Sequence, residues 1–362
     1  MTPWLDLLWL LLLLAAAAWA LTVSALPAIT RLAFSSSLAP AARYRRALLA
    51  AGLPWLVPGV VIASVCLLAA AKPLGWIADH CVYHGPGHPH LCFEHLPAIG
   101  LNHLHAAAAS LFLTGIAGLL VRLIGREYRA ARQVNALRAL ASGRRRLRIV
   151  EQHQPVAFAA GFSNPFVLLS RGLLAQLTAL ERRIVLAHEV AHLRHRDMPR
   201  NLAFEILLLL HTPASARTLR GIWKQALEEK ADDRVAARYG DENVAATLLK
   251  AVRICRIENS ATMSVVGADP LRRVRRLLSG ADEKPGALWH FELPFVGFIL
   301  SIAMLVGAAH HPLETLLGRV TSGLSTNAST AAPPGPHSGQ FVAGRILTVA
   351  LRAVAKYPIH KA

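Results

Sequence analysis

"HEVAH" at residues 188–192, inside "LERRIVLAHEVAHLRHRD" (180–197), decides how the rest of the chain is read. Thr178 is followed three residues later by Glu181, the pattern of a capping box, so a helix is expected to start there. On that helix His188 and His192 stand one turn apart on one face, where both imidazoles can converge on a cation. Glu189 is rotated about 100° from His188, placed to take a proton from a water on the metal without being a ligand. The competing reading is three polar residues on a solvated helix surface.

A catalytic zinc keeps one position open, lowers the pKa of its water to about 7 and needs a third protein ligand. "EEKADD" (228–233) on a later helical stretch supplies candidates. Glu228 and Asp232 are four apart, so one carboxylate can bind the ion while the other takes the second nitrogen of a ligand imidazole. Glu229 and Asp233 share that spacing, which leaves the register open, and a plain acidic helix surface is the alternative. His195 and His211 read as surface or packing residues. Asp197 either orients the helix or pairs with neighbouring arginines.

Upstream, "LRIVEQHQPVAFAAGFSNPFVLLSRGLL" (147–174) alternates β-prone runs with turn signals. It reads as a small sheet with a hairpin-like connection at Ser163-Asn164-Pro165. Met198-Pro199 marks an expected end or turn of the histidine helix. "NLAFEILLLLH" (201–211) is too short to span a bilayer and contains Glu205, so it reads as a core or membrane-apposed helix. "GIWKQALEEKADDRVAARYG" (221–240) is helical in period and closes at Tyr239-Gly240. These segments describe one α+β domain, mainly helical with a small sheet.

The rest of the chain is apolar. Of 362 residues, 54% are hydrophobic, which exceeds the norm for a soluble enzyme. "LLWLLLLLAAAAWALTVSAL" (7–26) is uncharged and long enough to cross a hydrocarbon layer of roughly 30 Å. Further spans are expected at 51–71, at about 104–121, and at 289–309 with Glu292 near its entrance. No Lys or Arg precedes Arg31, whereas a secretory signal places positive charge before its apolar run, so the first span reads as retained. Arg43, Arg45 and Arg46 follow span one, "GRRRLR" (143–148) follows span three, and Arg272, Arg273, Arg275 and Arg276 precede span four. Residues 73–103 contain neither Lys nor Arg. Positive-inside bias thus sets 27–50 and 122–288 in the cytoplasm and 72–103 and the tail outside, though the basic tail fits poorly. The domains expected are 1–125 with three spans, a cytoplasmic 126–288, a fourth span at 289–309 and an outside tail at 310–362.

The net charge of +18 fits retained cytoplasmic loops, lying either in solvent or on anionic lipid. With 6% aromatic residues and no aromatic-interleaved basic platform, direct nucleic-acid binding is not expected. The four cysteines show no CxxC spacing, which argues against a cysteine zinc site. Cys66 and Cys255 read as packing residues. In the outside loop "DHCVYHGPGHPHLCFEH" (79–95), Cys81 and Cys92 are candidates for a disulfide, and His84, His88, His90 and His95 for a metal- or pH-sensing cluster. Its Gly and Pro fit a plain loop equally well.

"HEVAHLRHRD" followed by "EEKAD" resembles the gluzincin arrangement of integral-membrane metallopeptidases. "QPVAFAAGFSNPFVLLSRGLL" (154–174) is similar to the strand and hairpin before the zinc helix of two such families, the BlaR/MecR-type antirepressor peptidases and the Ste24/heat-shock endopeptidases. The order of spans and "DPLRRVRRLLSG" (269–280) look more like the BlaR/MecR type. The resemblance covers about residues 5–310. It implies a gluzincin-like fold with zinc on His188, His192 and Glu228, Glu189 as general base and Asp232 as the partner behind a ligand. It also implies a strand edge near "VAFAAGF" (156–162) on which an extended substrate adds, an ordinary packed strand being the alternative. The tail departs from the β-lactam sensors: it has no Ser-x-x-Lys, "STNASTAAPPGPHSG" (325–339) looks like a linker, and 343–357 fits a surface amphipathic helix.

The expectation is a multi-pass zinc endopeptidase of a bacterial-type inner membrane. It would cut a cytosolic regulator, such as a transcriptional repressor, in response to an outside signal. Constitutive quality control of membrane proteins, and a non-catalytic sensor stabilised by zinc, are the other readings.

Overall fold

The computed structural model describes residues 3–34, 38–71, 74–75, 103–143, 146–162, 164–257, 269–279, 292–309 and 312. Three helices in it are long and apolar enough to cross a membrane: α1 (Pro3–Ala33), α2 (Pro40–Ala71) and α3 (His103–Leu140). Each runs beyond its apolar window into basic sequence. Once a helix is nucleated, its backbone bonds continue through Arg and Lys, which are good helix formers in water. A further apolar helix, Glu292–Ala308, is 17 residues long, about 25 Å at 1.5 Å per residue, and falls short of the other three. It exposes Phe298, Leu300, Met304 and Leu305, a surface unsuited to water. The His/Cys loop, with Cys81, Cys92, His84, His88 and His90, lies outside the described residues, as does the tail from 313 onward. Cys66 is a half-buried free thiol in α2.

Three strands follow α3: β1 (Leu147–Val150), β2 (Ala157–Ala160) and β3 (Phe166–Ser170). Their order is β1-β3-β2, with β1 parallel and β2 antiparallel to β3. All five residues of β3 are buried, as a central strand covered on both faces requires. The β2–β3 connection turns at Gly161, whose φ of +94° favours glycine; a Cβ there would meet the Asn164 carbonyl at 2.5 Å. β2 thereby becomes an edge strand. The Ser170 hydroxyl accepts from the Leu173 amide and starts a short helix, α4 (Arg171–Gln176).

The histidine helix is α5 (Ala179–Arg194), and its capping box is complete. Glu181 accepts from the Thr178 amide at 2.7 Å, and the Thr178 hydroxyl accepts from the Glu181 amide at 3.3 Å. Ile184 and Val185 on α5 join Val167 and Leu169 of β3 in one apolar core. α5 ends sooner than Met198-Pro199 suggests. His195 caps it, Arg196 turns the chain in a left-handed conformation (φ 52°), and α6 (Asp197–Leu207) begins. Pro199 sits in the first turn of α6, where an amide has no helical partner to lose.

α6 runs into a 3-10 turn at Leu208–Leu210 and is a core helix. Phe204 and Leu208 pack with Leu26 of α1, Ala47, Ala50 and Leu53 of α2, and Trp223. Glu205 is accommodated by a two-point bond to Arg220, at 2.7 and 2.8 Å. The free carbonyls at this helix end are taken by the two long apolar helices: Trp55 Nε1 donates to Leu207 O and Trp19 Nε1 to Leu210 O, both at 2.9 Å. Next comes α7 (Pro213–Tyr239), capped by Thr212 with Pro213 at its first position and closed by Gly240 at φ 83°. α8 (Asp241–Ile257) and α9 (Pro270–Ser279) complete the domain, and α10 is the apolar helix Glu292–Ala308.

Candidate metal centre

The buried face of α5 carries His188, Glu189 and His192 against α7. His188 Nε2 lies 3.2 Å from His192 Nε2 and 3.2 Å from Glu228 Oε2, and His192 Nε2 lies 3.8 Å from Glu228 Oε1. Ligand atoms about 2.0–2.1 Å from a tetrahedral zinc are separated by roughly 3.3 Å, so these three side chains match the spacing such an ion imposes.

The far nitrogens of both rings face carboxylates. His188 Nδ1 is 3.2 Å from Asp232 Oδ1, and His192 Nδ1 is 2.8 Å from Asp197 Oδ2. Protons held at Nδ1 leave both Nε2 lone pairs aimed at each other and at Glu228. Three acceptors packed together repel unless a cation or a proton sits among them, and the donor set is of the kind that binds zinc. Without an ion the cluster draws in protons instead. Burial depresses the His188 imidazole, but Asp232 and Glu228 outweigh it and push it up to about 10.

Arg273, reaching in from α9, is 1% exposed. It donates to both Asp232 oxygens at 2.7 Å, and its Nη1 lies 3.1 Å from Glu228 Oε2. Burial works against the Asp232 carboxylate, yet Arg273 and His188 hold it well below the usual range. Glu228 is likewise held low against burial by His188 and Arg273.

Glu189 stands apart. It is 1% exposed, and neither carboxylate oxygen has a hydrogen-bond partner of ordinary geometry among the described residues. Burial raises its pKa, with His188, His192 and the Ala159 amide pulling the other way. A carboxylate beside the histidines with elevated basicity and unused oxygens is equipped to accept a proton.

The structure separates the two registers of "EEKADD". Glu229 is fully buried on another side of α7, against Arg43 of α2, with Gln225 Nε2 at 2.7 Å and Arg272 Nε at 3.3 Å. Asp233 pairs with Arg276. His195 and His211 stay out of the cluster: His195 meets Arg234, and His211 Nε2 donates to Ala51 O at 3.0 Å. Asp197 meets His192 Nδ1 and also lies 4.0 Å from Arg200 Nη1, so it faces both a ligand ring and a neighbouring arginine, while Arg273 reads in the sequence only as part of a basic flank. Its only signal was membership of "DPLRRVRRLLSG".

A cleft of about 220 Å³ opens at the cluster, lined by Ala159, Glu189, His192, Asn201, Lys224 and Glu228 among others. A neighbouring groove of about 450 Å³ continues along Ala159, Gly161 and Phe162. The outer edge of β2, which pairs with no strand among the described residues, therefore borders the space next to the histidines.

Residues 128–263 match Peptidase family M48. That segment, from α3 through the sheet, α5 and α7 to the end of α8, holds His188, Glu189, His192 and Glu228 but stops before Arg273. M48 peptidases are zinc metalloproteases, and the His/His/Glu cluster suits that chemistry. The Protease HtpX homolog of Aeropyrum pernix is 44% identical over 61 residues, which is 16% of this chain and 19% of that protein. The chain thus covers about a fifth of that curated relative. No solved structure matches.

Proposed function

We propose that this chain is a membrane-anchored zinc endopeptidase whose catalytic cleft faces the cytoplasm. The observation that carries the reading is the convergence of His188 Nε2, His192 Nε2 and Glu228, all within 4.8 Å, beside the buried carboxylate of Glu189. His188, His192 and Glu228 would hold the ion, which supplies Lewis-acid activation of water and of the peptide carbonyl. Asp197 and Asp232 fix the tautomers of the two imidazoles, and Arg273 keeps Glu228 and Asp232 ionised. Glu189 takes the proton of the attacking water and passes it to the leaving amine nitrogen. The open edge of β2 receives an extended segment as an added strand, which gives affinity through main-chain bonds with modest sequence demands.

For the biological role, two readings have separate support. The resemblance to heat-shock endopeptidases and the M48 match favour constitutive cleavage of membrane proteins. The packing of α2 on α7, with Arg43 against Glu229, favours a signal-transducing protease that cuts a cytosolic regulator such as a repressor. In the second reading the outside loop with Cys81, Cys92, His84, His88 and His90 receives the signal. The basic flanks of α1, α2 and α3 support the inward orientation.

The test uses the full chain purified in detergent with zinc and β-casein as substrate. Cleavage by the wild type that Glu189→Gln abolishes, with zinc content unchanged, is the expected result. Zinc binding without any cleavage would leave the non-catalytic sensor instead. Comparing intact cellular proteins between wild type and Glu189→Gln, with and without residues 79–95, then separates signalled from constitutive cleavage.

A further inference from the structure

The described part of the chain holds two side-chain donors on the cleft wall that are not tied to carboxylates, Asn201 and Lys224. Lys224 is exposed and has no contact among the described residues to fix it, whereas Asn201 is tethered. Trp223 Nε1 donates to Asn201 Oδ1 at 2.7 Å. Because an indole N–H can only donate, the amide atom it meets is the oxygen, and the remaining vertex of that planar group is the NH₂. That NH₂ has no hydrogen-bond partner among the described residues.

The tether is itself rigid. Trp223 is 2% exposed and stacks on Phe204 of α6 (centroids 4.2 Å apart, 8° between planes) and on Tyr44 of α2 (4.4 Å, 26°). An amide pinned in this way on the wall of the cleft that Glu189, His192 and Glu228 also line keeps one orientation without reorganisation during a reaction. Arg273 is not available for the task, since both Asp232 oxygens and Glu228 occupy it.

We propose that the Asn201 side-chain amide, positioned by Trp223, donates a hydrogen bond to the oxygen that gains negative charge when the peptide carbonyl is attacked. This rests on the endopeptidase reading and adds to it a residue that touches the reacting atoms. The developing oxyanion takes the N–H···O bond that the ground-state carbonyl takes less well, so the interaction lowers the barrier rather than tightening substrate binding.

The experiment compares wild type, Asn201→Asp, Asn201→Ala, Trp223→Phe and Lys224→Met in casein-derived peptide hydrolysis, with zinc content and melting temperature measured on each. Asn201→Asp keeps the acceptor for Trp223 and the shape of the side chain but removes the donor. The expected result is a roughly 10²–10³-fold fall in kcat for the two Asn201 variants, with KM, zinc content and melting temperature near wild type. Trp223→Phe keeps the ring stack, loses the tether and falls less. A peptidyl phosphinate built on the fastest-cut site should lose affinity for Asn201→Asp in step with kcat/KM. The proposal is overturned by wild-type kcat in Asn201→Asp, by a change in KM alone, by loss of zinc along with activity, or by a comparable kcat loss in Lys224→Met with Asn201→Ala unaffected. A wild-type protein that cleaves nothing would instead remove the endopeptidase reading beneath it.

Discussion

Asp197 accepts a hydrogen bond from His192 Nδ1 at 2.8 Å, five residues along the chain and across the junction of two helices. The left-handed turn at Arg196 makes this contact possible: it ends α5 and brings the first residue of α6 back beneath the ring, where Asp197 is 4% exposed. A carboxylate at that nitrogen selects the tautomer and raises the basicity of Nε2. Asp197→Asn should weaken zinc affinity by about 10–100-fold in chelator competition while the fold persists. Unchanged affinity would remove Asp197 from the centre.

Arg43 and Glu229 join α2 to α7 with side chains 5% and 0% exposed. Breaking a buried pair leaves a desolvated charge and costs about 3–5 kcal/mol, while replacing both partners with apolar groups is often neutral. Here Gln225 and Arg272 still reach Glu229, so Arg43→Met should fall at the lower end of that range. Arg43→Met with Glu229→Met should recover most of the loss in denaturant melts in detergent. Additive losses in the double variant would mean that the two residues act independently.

Glu189 is buried, and among the described residues neither of its oxygens has a hydrogen-bond partner of ordinary geometry beyond the pull of the Ala159 amide. Removing its charge therefore relieves a desolvation cost while removing the base. Glu189→Gln should melt at the same temperature as the metal-free wild type or higher, and lose roughly 10²–10⁴-fold in activity. A clear drop in melting temperature would show that the carboxylate stabilises the fold.

Burial alone would raise the Glu181 carboxyl, but Lys250, at 2.7 Å, and Thr178 outweigh it and hold the pKa below the ordinary value. A depressed folded-state pKa contributes stability that is complete above the unfolded value, about 4.3, and lost as pH falls through the folded one. Wild type should therefore melt above Glu181→Gln at pH 7, with the gap closing as the pH drops below about 4. A gap independent of pH would locate the stabilisation in cap geometry rather than charge.

The three long apolar helices α1, α2 and α3, the capped α5, the β2–β3 connection and the end of α7 at Gly240 could be read from the sequence because each rests on a local rule: hydropathy, i to i+4 spacing, or turn and cap chemistry. So could the three candidates His188, Glu189 and His192, since helical period alone places them. The fourth apolar segment read less well, because its described helix is shorter than a bilayer.

Which acidic pair faces the imidazoles was not legible from spacing, and only the family resemblance pointed to Glu228 and Asp232. Glu228 and Glu229 differ by one helical step of about 100°, and only the packing of α7 against α5 on one side and α2 on another decides where each points. Arg273 and Asn201 were hidden, and the two readings of Asp197 stayed open, for a related reason. Their partners lie across a helix junction, on a separate helix, or behind a stacked tryptophan, and the geometry between elements follows from how buried surfaces interlock rather than from spacing along the chain.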